Sequence, residues 1–157
     1  MKILSLFVVC SMVMSALTGF EKQQYFNIKE VNIEVKDNIL SYEVILQTDD
    51  GTPIESRYDY PGQKIQGFEL AVIPNKPLAD LMELEIYKES KFTKMRPNQI
   101  GTRASSREDE IILFSEYVIK NNSDLVKLEK LAMQEAILFI FDGANKIKEQ
   151  PISRNLY

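Results

Sequence analysis

Residues 38–48 read "NILSYEVILQT" and decide the fold class, because apolar and polar side chains alternate along them. The apolar members share one face of an extended chain: Leu40, Tyr42, Val44 and Leu46. Alternation with a period of two is typical of a strand with one face in a core and the other in water. Asp50-Gly51 follow at once and predict a turn into a second strand.

The same alternation recurs on both sides of this stretch, in segments bounded by turn residues: 26–35, 54–60, 65–74, 110–120 and 146–152. Their spacing predicts an antiparallel β-sandwich, Ig-like in style, of about eight strands, with a two-layer α+β domain as the alternative.

Two segments depart from plain alternation. In residues 26–35 the apolar pattern changes phase between Ile28 and Val31, which predicts a β-bulge. Residues 77–89 suit either a helix or a strand, and a short turn leading into a strand is favoured.

The best helix signal is "NNSDLVKLEKLAMQ" at 121–134, which predicts one short helix near 123–133. Ser123 can cap its N-terminus. Leu125, Leu128 and Leu131 are spaced to form one apolar side.

The six residues that follow, "AILFIF" at 136–141, are all apolar and predict a central strand buried on both faces. On that interpretation, replacing either Phe139 or Ile140 by Asp prevents folding, because an unpaired charge enters the core.

The first nineteen residues predict a signal peptide, with an N-terminal membrane anchor as the alternative. Lys2 precedes an apolar run of 15 residues, Ile3–Leu17, which matches the length of a signal-peptide apolar region. Cleavage fits after Ala16 or Gly19. Residues 20–157 then form a single globular domain exported to the periplasm, the cell surface or the medium.

The composition excludes several chemistries. The chain has no histidine, and its one cysteine, Cys10, lies in the leader, which excludes Ser-His and Cys-His nucleophiles and the usual zinc sites. No glycine-rich phosphate loop is present, so no cofactor or metal is expected. The acidic runs 49–50 and 108–110 are expected to be solvated turn acids, although a small carboxylate hydrolase is the alternative function.

The segment Ser90–Arg107 stands out because it carries a charge of +5 and no acid. Without Lys2 the exported part has 18 basic and 23 acidic residues, so everything outside this segment sums to −10. We expect a long basic loop, or a loosely formed hairpin, that meets an anionic partner. The competing interpretation pairs this segment with the chain's own acids, such as those at 108–110. If the charges are free, neutralising all five costs less than about 1 kcal/mol of stability.

The tyrosines offer a second candidate surface. Tyr58 and Tyr60 share one face of the strand expected at 54–60, where they can stack on a sugar or a peptide. The competing interpretation places strand tyrosines, including Tyr42 and Tyr117, in the core with the hydroxyl at its rim.

Together these features predict an exported, non-catalytic binding or assembly module of the cell envelope. An inhibitor or immunity-type module is a further alternative. The partner is expected to be an envelope protein or an anionic surface; nucleic acid is disfavoured, and membrane contact is expected only through an uncleaved leader. The candidate binding residues are Lys91, Lys94, Arg96, Arg103, Arg107, Tyr58 and Tyr60.

Overall fold

The computed structural model describes residues 24–56, 67–85, 94–134 and 136–152, and they form a mostly-β, antiparallel sandwich. The strands in this part are β1 (Phe26–Lys36), β2 (Ile39–Thr48), β3 (Phe68–Pro74), β4 (Leu84–Glu85), β5 (Lys94–Met95), β6 (Pro97–Ala104), β7 (Glu110–Val118), β8 (Ala136–Asp142) and β9 (Asn145–Pro151). The helices described are α1 (Lys76–Ala79) and α2 (Leu125–Ala132). The predicted class, and a short helix near 123–133, are confirmed.

The strands form a four-stranded sheet in the order β1-β2-β7-β6 and a three-stranded sheet in the order β3-β8-β9, with β4 and β5 as a small separate pair. All pairings are antiparallel. In the four-stranded sheet, β1 and β6 are therefore the edge strands.

The core lies between the inner faces of the two sheets. All four apolar residues that alternate in β2 are fully buried: Leu40, Tyr42, Val44 and Leu46. From the smaller sheet they meet Leu70, Leu138 and Ile140, which are equally buried. The alternation in the opening stretch therefore identified the core face of β2.

Side chains of β7 form hydrogen bonds with backbone groups of β3. The Tyr117 hydroxyl accepts a hydrogen bond from the Val72 amide at 3.0 Å, and the Ser115 hydroxyl donates to the Leu70 carbonyl. Burial raises the pKa of the Tyr117 phenol. Tyr42 and Tyr117 lie edge to face with ring centroids 6.3 Å apart, so these two tyrosines belong to the core.

The bulge predicted in β1 is confirmed. The register between β1 and β2 shifts between Ile28 and Glu30, which leaves Lys29 without an opposite residue. The Lys29 ammonium lies 2.7 Å from a carboxylate oxygen of Glu110. The bulge thus directs a cation toward the start of β7.

Helix α2 begins differently from the prediction. Asp124, not Ser123, is the N-cap, and its carboxylate accepts from the Lys127 amide at 3.0 Å. The Ser123 hydroxyl donates instead to the Leu81 carbonyl. Leu125 is 47% exposed, so the buried side of the helix is carried by Leu128 and not by Leu125.

Strand β8 is the central strand of the three-stranded sheet, as predicted, but it is not buried on both faces. Its burial alternates, with Ile140 fully buried and Phe139 half-buried. Within the described residues, one layer packs on β8 where two were expected. The expectation that Phe139→Asp prevents folding therefore loses its structural basis, whereas the one for Ile140→Asp keeps its basis.

The described part of the basic segment is largely extended strand, in β5 and β6, so the long loop expected at 90–107 is wrong there, whereas the alternative of a hairpin agrees with the structure. The segment forms one arm of a hairpin with β7. Residues 77–85 follow the favoured interpretation, a helical turn and then a short strand. Of the strand expected at 54–60, residues 54–56 are not strand, and 57–60 lie outside the described residues.

The leader also lies outside the described residues, which leaves both the signal peptide and the anchor as predictions. In the part of the chain that the structure describes, no helix has the length and apolar character needed to cross a membrane.

Candidate functional site

Strand β6 forms an exposed edge of the four-stranded sheet. Its pairing partner among the described strands is β7, with Ile100 opposite Ser115 and Ala104 opposite Ile111. Six of its eight residues are exposed, including Ile100 at 40%. The pairing with β7 shifts register between Pro97 and Gln99. We call Lys94–Ala104, which joins β5 to β6, the basic edge.

The first two described cations of the basic edge, Lys94 and Arg96, are exposed. The Arg96 backbone is held on both sides, because its amide donates to the Glu83 carbonyl at 2.8 Å and its carbonyl accepts from the Val118 amide at 3.1 Å. The position of Arg96 is therefore fixed by the fold. Lys91 lies outside the described residues.

Arg103 is engaged on the outer side of its own sheet. Its Nη1 lies 3.1 Å from a carboxylate oxygen of Glu43, and its guanidinium carbon is 4.5 Å from the centroid of the Phe114 ring. The same ring covers Gly101, where an added Cβ would lie 2.9 Å from the ring. Arg103 therefore fastens β6 to the sheet, although its side chain remains 58% exposed.

Arg107 binds the chain's own acids. Its Nε donates to Asp109 Oδ1 at 2.9 Å and its Nη2 to Asp109 Oδ2 at 2.8 Å, a bidentate pair. Its Nε also lies 3.3 Å from Glu110 Oε1. Asp109 and Glu110 are buried, so the expectation that they are solvated turn acids is wrong.

These contacts shift the pKa values of the two acids. Hydrogen bonds from Arg107 and then Gln47 hold the pKa of Asp109 far below its usual range. The hydrogen bond from Lys29 lowers the pKa of Glu110, with smaller help from Ser105 and Arg107. Carboxylates stabilised in their ionised form are poor proton donors, so this pair is unsuited to general acid catalysis.

The predicted basic residues therefore do not act as one group. Arg107 pairs with buried acids and Arg103 with Glu43, as the competing interpretation expected of the segment. Lys94 and Arg96 are the other described cations of the basic edge, and both are exposed.

A second feature is a cleft of about 710 Å³ between the edges of the two sheets, where β1 and β9 face each other. The Lys148 ammonium crosses it to the Phe26 carbonyl at 3.2 Å. The amide of Gln24 donates to the Pro53 carbonyl at 2.8 Å and so holds the loop after β2 against the start of β1. The cleft is lined mainly by polar and charged residues, among them Asp49, Glu55, Ser56, Asp142, Asn145 and Lys146.

Asp142 is the most buried carboxylate of this cleft. It is 5% exposed and accepts a hydrogen bond from the Ser56 hydroxyl at 2.5 Å. Ser56 also contacts Gly67 beside the cleft. These two residues flank the segment 57–66 in the sequence. Tyr58 and Tyr60 belong to that segment, outside the described residues.

Nothing in the sequence could reveal this cleft, because its lining comes from three distant parts of the chain: residues 24–27, 49–56 and 142–148. Within the described residues, no group of three or more acidic, histidine or cysteine side chains is arranged to hold a metal ion.

Comparison with family models, with curated proteins and with solved structures gives no match to this chain.

Proposed function

We propose that the protein is an exported, non-catalytic binding module of the cell envelope, and that its partner is an acidic protein segment bound along the basic edge. The observation that carries this proposal is that β6 is an exposed edge strand, immediately preceded in the chain by two exposed cations, Lys94 of β5 and Arg96.

An edge strand suits this role because it offers its backbone to another strand. An extended segment that adds to a sheet edge gains affinity from main-chain hydrogen bonds and specificity from alternate side chains. Ile100 supplies an exposed apolar side chain in the middle of β6. An extended protein segment therefore fits this edge better than a lipid headgroup or a polysaccharide.

Charge selects the partner. Lys94 and Arg96 come just before β6 in the chain, so their charges are carried at the start of the edge that an added strand would follow, in a sequence that is acidic outside the basic segment. Cations on an edge also discourage pairing between two identical edges. The basic edge thus favours an acidic partner over a second copy of itself.

An inhibitor or immunity-type module would use the same surface, with the acidic segment belonging to its target. Export rests on the leader, which predicts a location outside the cytoplasm.

The proposal is tested by fluorescence anisotropy with a labelled peptide of alternating Glu and Val. The parent should bind it more weakly as salt rises, since screening shortens the attraction to about 10 Å at 0.1 M. The double variant Lys94→Gln/Arg96→Gln should bind at least several-fold more weakly. The matched control, Lys36→Gln/Lys127→Gln, removes the same charge from exposed positions on β1 and α2 and should bind like the parent.

Amide hydrogen exchange separates strand addition from simple charge attraction. On peptide binding, exchange should slow in Pro97–Ala104 and stay unchanged in β1, the opposite edge of the sheet. Equal binding by the two double variants, or protection absent from β6, would overturn the proposal. So would binding to anionic vesicles without binding to the peptide.

A carboxylate hydrolase is the second candidate, favoured by one observation: Asp49, Glu55 and Asp142 line the same cleft. Paired carboxylates flanking a cleft are what glycoside hydrolysis requires. Hydrolysis of cell-wall polysaccharide by the parent, lost in Asp142→Asn but kept in Asp124→Asn, would replace the binding proposal with this one.

A further inference from the structure

The outer face of the three-stranded sheet is apolar, and no described element covers it. Five half-buried side chains form this surface, which we call the aromatic face: Ala71, Ile73, Ile137, Phe139 and Phe141. Among the described residues they are not part of the core or of the side chains packed against it. The two phenyl rings stack with centroids 6.4 Å apart.

The strand register places a charged residue at each end of one row across this face. Phe141 of β8 is opposite Glu69 of β3 and opposite Lys146 of β9. The row therefore reads acid, phenyl ring, lysine from one sheet edge to the other. Lys146 also pairs with Glu149 and lies 5.0 Å from the centre of the Phe139 ring, so its ammonium is held over the aromatic face.

We infer that a second copy of this chain packs on the aromatic face, sheet against sheet, about a twofold axis parallel to the strands. Such an axis places each edge of one sheet over the other edge of its copy. Phe141 then meets the copy's Phe141, and Glu69 of each chain lies opposite Lys146 of the other. Apolar rings thus meet apolar rings and each acid meets a lysine, so the face is complementary to itself, as a twofold interface requires.

Sheet-on-sheet packing fits this surface physically. Sheets pack about 10 Å apart, with their strands within roughly 30° of alignment, and interdigitate apolar side chains like those of the aromatic face. A second layer would also bury the other face of β8, whose six apolar residues suit a strand covered on both sides.

The charges around the face favour a copy over other occupants. A membrane surface selects a basic rim, but this rim carries Glu69, Lys146 and Glu149. The acidic segment proposed for the basic edge would meet Glu69 and Glu149 here. Self-association therefore uses a surface distinct from the one proposed for partner binding, and either can fail without the other.

Sedimentation velocity over a concentration series tests this on the exported protein as cells process it. The parent should form a dimer. Glu69→Lys should raise the dimer dissociation constant by about tenfold, because two like-charge contacts replace two ion pairs. The swap Glu69→Lys/Lys146→Glu should restore dimerisation. Glu34→Lys, the same change on exposed β1 of the other sheet, should dimerise like the parent.

Phe139→Asp is a second and stronger test of the dimer. This variant should be folded, as judged by circular dichroism and cooperative melting, and it should be monomeric. A parent that is monomeric at every concentration would overturn the inference, and so would a dimer that persists in folded Phe139→Asp. The same holds if Glu69→Lys and Glu34→Lys have equal dimer dissociation constants, or if the charge swap dimerises no better than Glu69→Lys alone. If Phe139→Asp does not fold, the charge swap alone decides.

Discussion

Phe139 and Ile140 are neighbours in β8 and occupy opposite environments: Ile140 is fully buried in the core, whereas Phe139 stacks against Phe141 on the outer face. Ile140→Asp should cost more than about 4 kcal/mol, a large part of a total of about 5–15, because its carboxylate has no partner in the core. Phe139→Asp should cost about 1–2 kcal/mol, typical of a half-exposed strand position.

Urea denaturation of the two variants beside the parent measures this difference. Equal losses of stability in the two variants would mean that both faces of β8 are buried within a single chain. A cooperative transition in Ile140→Asp near the parent's midpoint would remove β8 from the core.

These neighbours also show what the sequence could and could not predict. In β2, polar residues separate the apolar ones, so the alternation alone identified the core face, and the structure confirmed it. The stretch 136–141 is apolar throughout, so it contains no such signal. Periodicity predicted that β8 is a strand, but which side meets the core depends on its neighbours β3 and β9.

The sequence left β6 open between a loop and a hairpin for a related reason. An edge strand with most side chains in water needs no apolar alternation, and Pro97, Asn98 and Gly101 are poor strand formers. Its conformation comes from pairing with β7, a contact between separate segments. The sequence therefore predicted the basic charge of the candidate site, but it could not decide between a loop and a hairpin for the backbone that presents this charge.

Arg107 should matter for stability while Arg96 should not. Arg107→Gln leaves Asp109 and Glu110, with side chains 10% and 5% exposed, without their shared guanidinium, so the melting temperature should fall by several degrees. Arg96→Gln, an exposed charge, should change the free energy of unfolding by less than about 0.5 kcal/mol.

Differential scanning calorimetry of the two single variants measures this. From the sequence alone, replacing all five basic residues of the segment by Gln was expected to cost less than about 1 kcal/mol of stability. Because Arg107 is among them, the measured loss of stability should be larger. The additional loss should disappear in a variant that keeps Arg107. If the variant with all five substitutions is as stable as the parent, the Arg107 contacts contribute nothing to folding.

The same acids should make the fold sensitive to acid. Folding lowers the pKa of Asp109 and of Glu110, so their stabilisation is fully present above the pKa values of the unfolded chain, near 3.9 and 4.3. It is lost as the pH falls through the lower folded values. Parent stability should therefore decline as the pH falls from about 5 toward 2.

Urea midpoints measured across that range, parent against Asp109→Asn, check the assignment. The variant should be less stable at neutral pH and show a shallower decline in acid. Asp124→Asn, which keeps a good helix cap on an exposed site, serves as the control and should follow the slope of the parent. If Asp109→Asn also follows the parent's slope, other carboxylates dominate the acid response.

Export should remove the leader without touching the folded body. The apolar run after Lys2 predicts cleavage near residues 16–20. Gln24 is the first residue with described contacts: its side chain donates to Pro53 and accepts from the Glu55 amide at 3.2 Å. Cleavage at Ala16 or Gly19 would leave these contacts intact, whereas cleavage beyond Gln24 would release the loop at 52–55 from the start of β1.

Intact-mass spectrometry of protein recovered outside the cytoplasm reads the new N-terminus directly. The measured mass should correspond to a chain whose first residue lies between 17 and 21. Lys2→Glu should slow export, since the basic start orients the leader with its N-terminus in the cytoplasm, and Lys22→Glu is the control beyond the cleavage point. Full-length chain in the membrane fraction would establish the anchor instead. Full-length chain confined to the cytosol would overturn export, and with it the envelope as the place where the basic edge meets its partner.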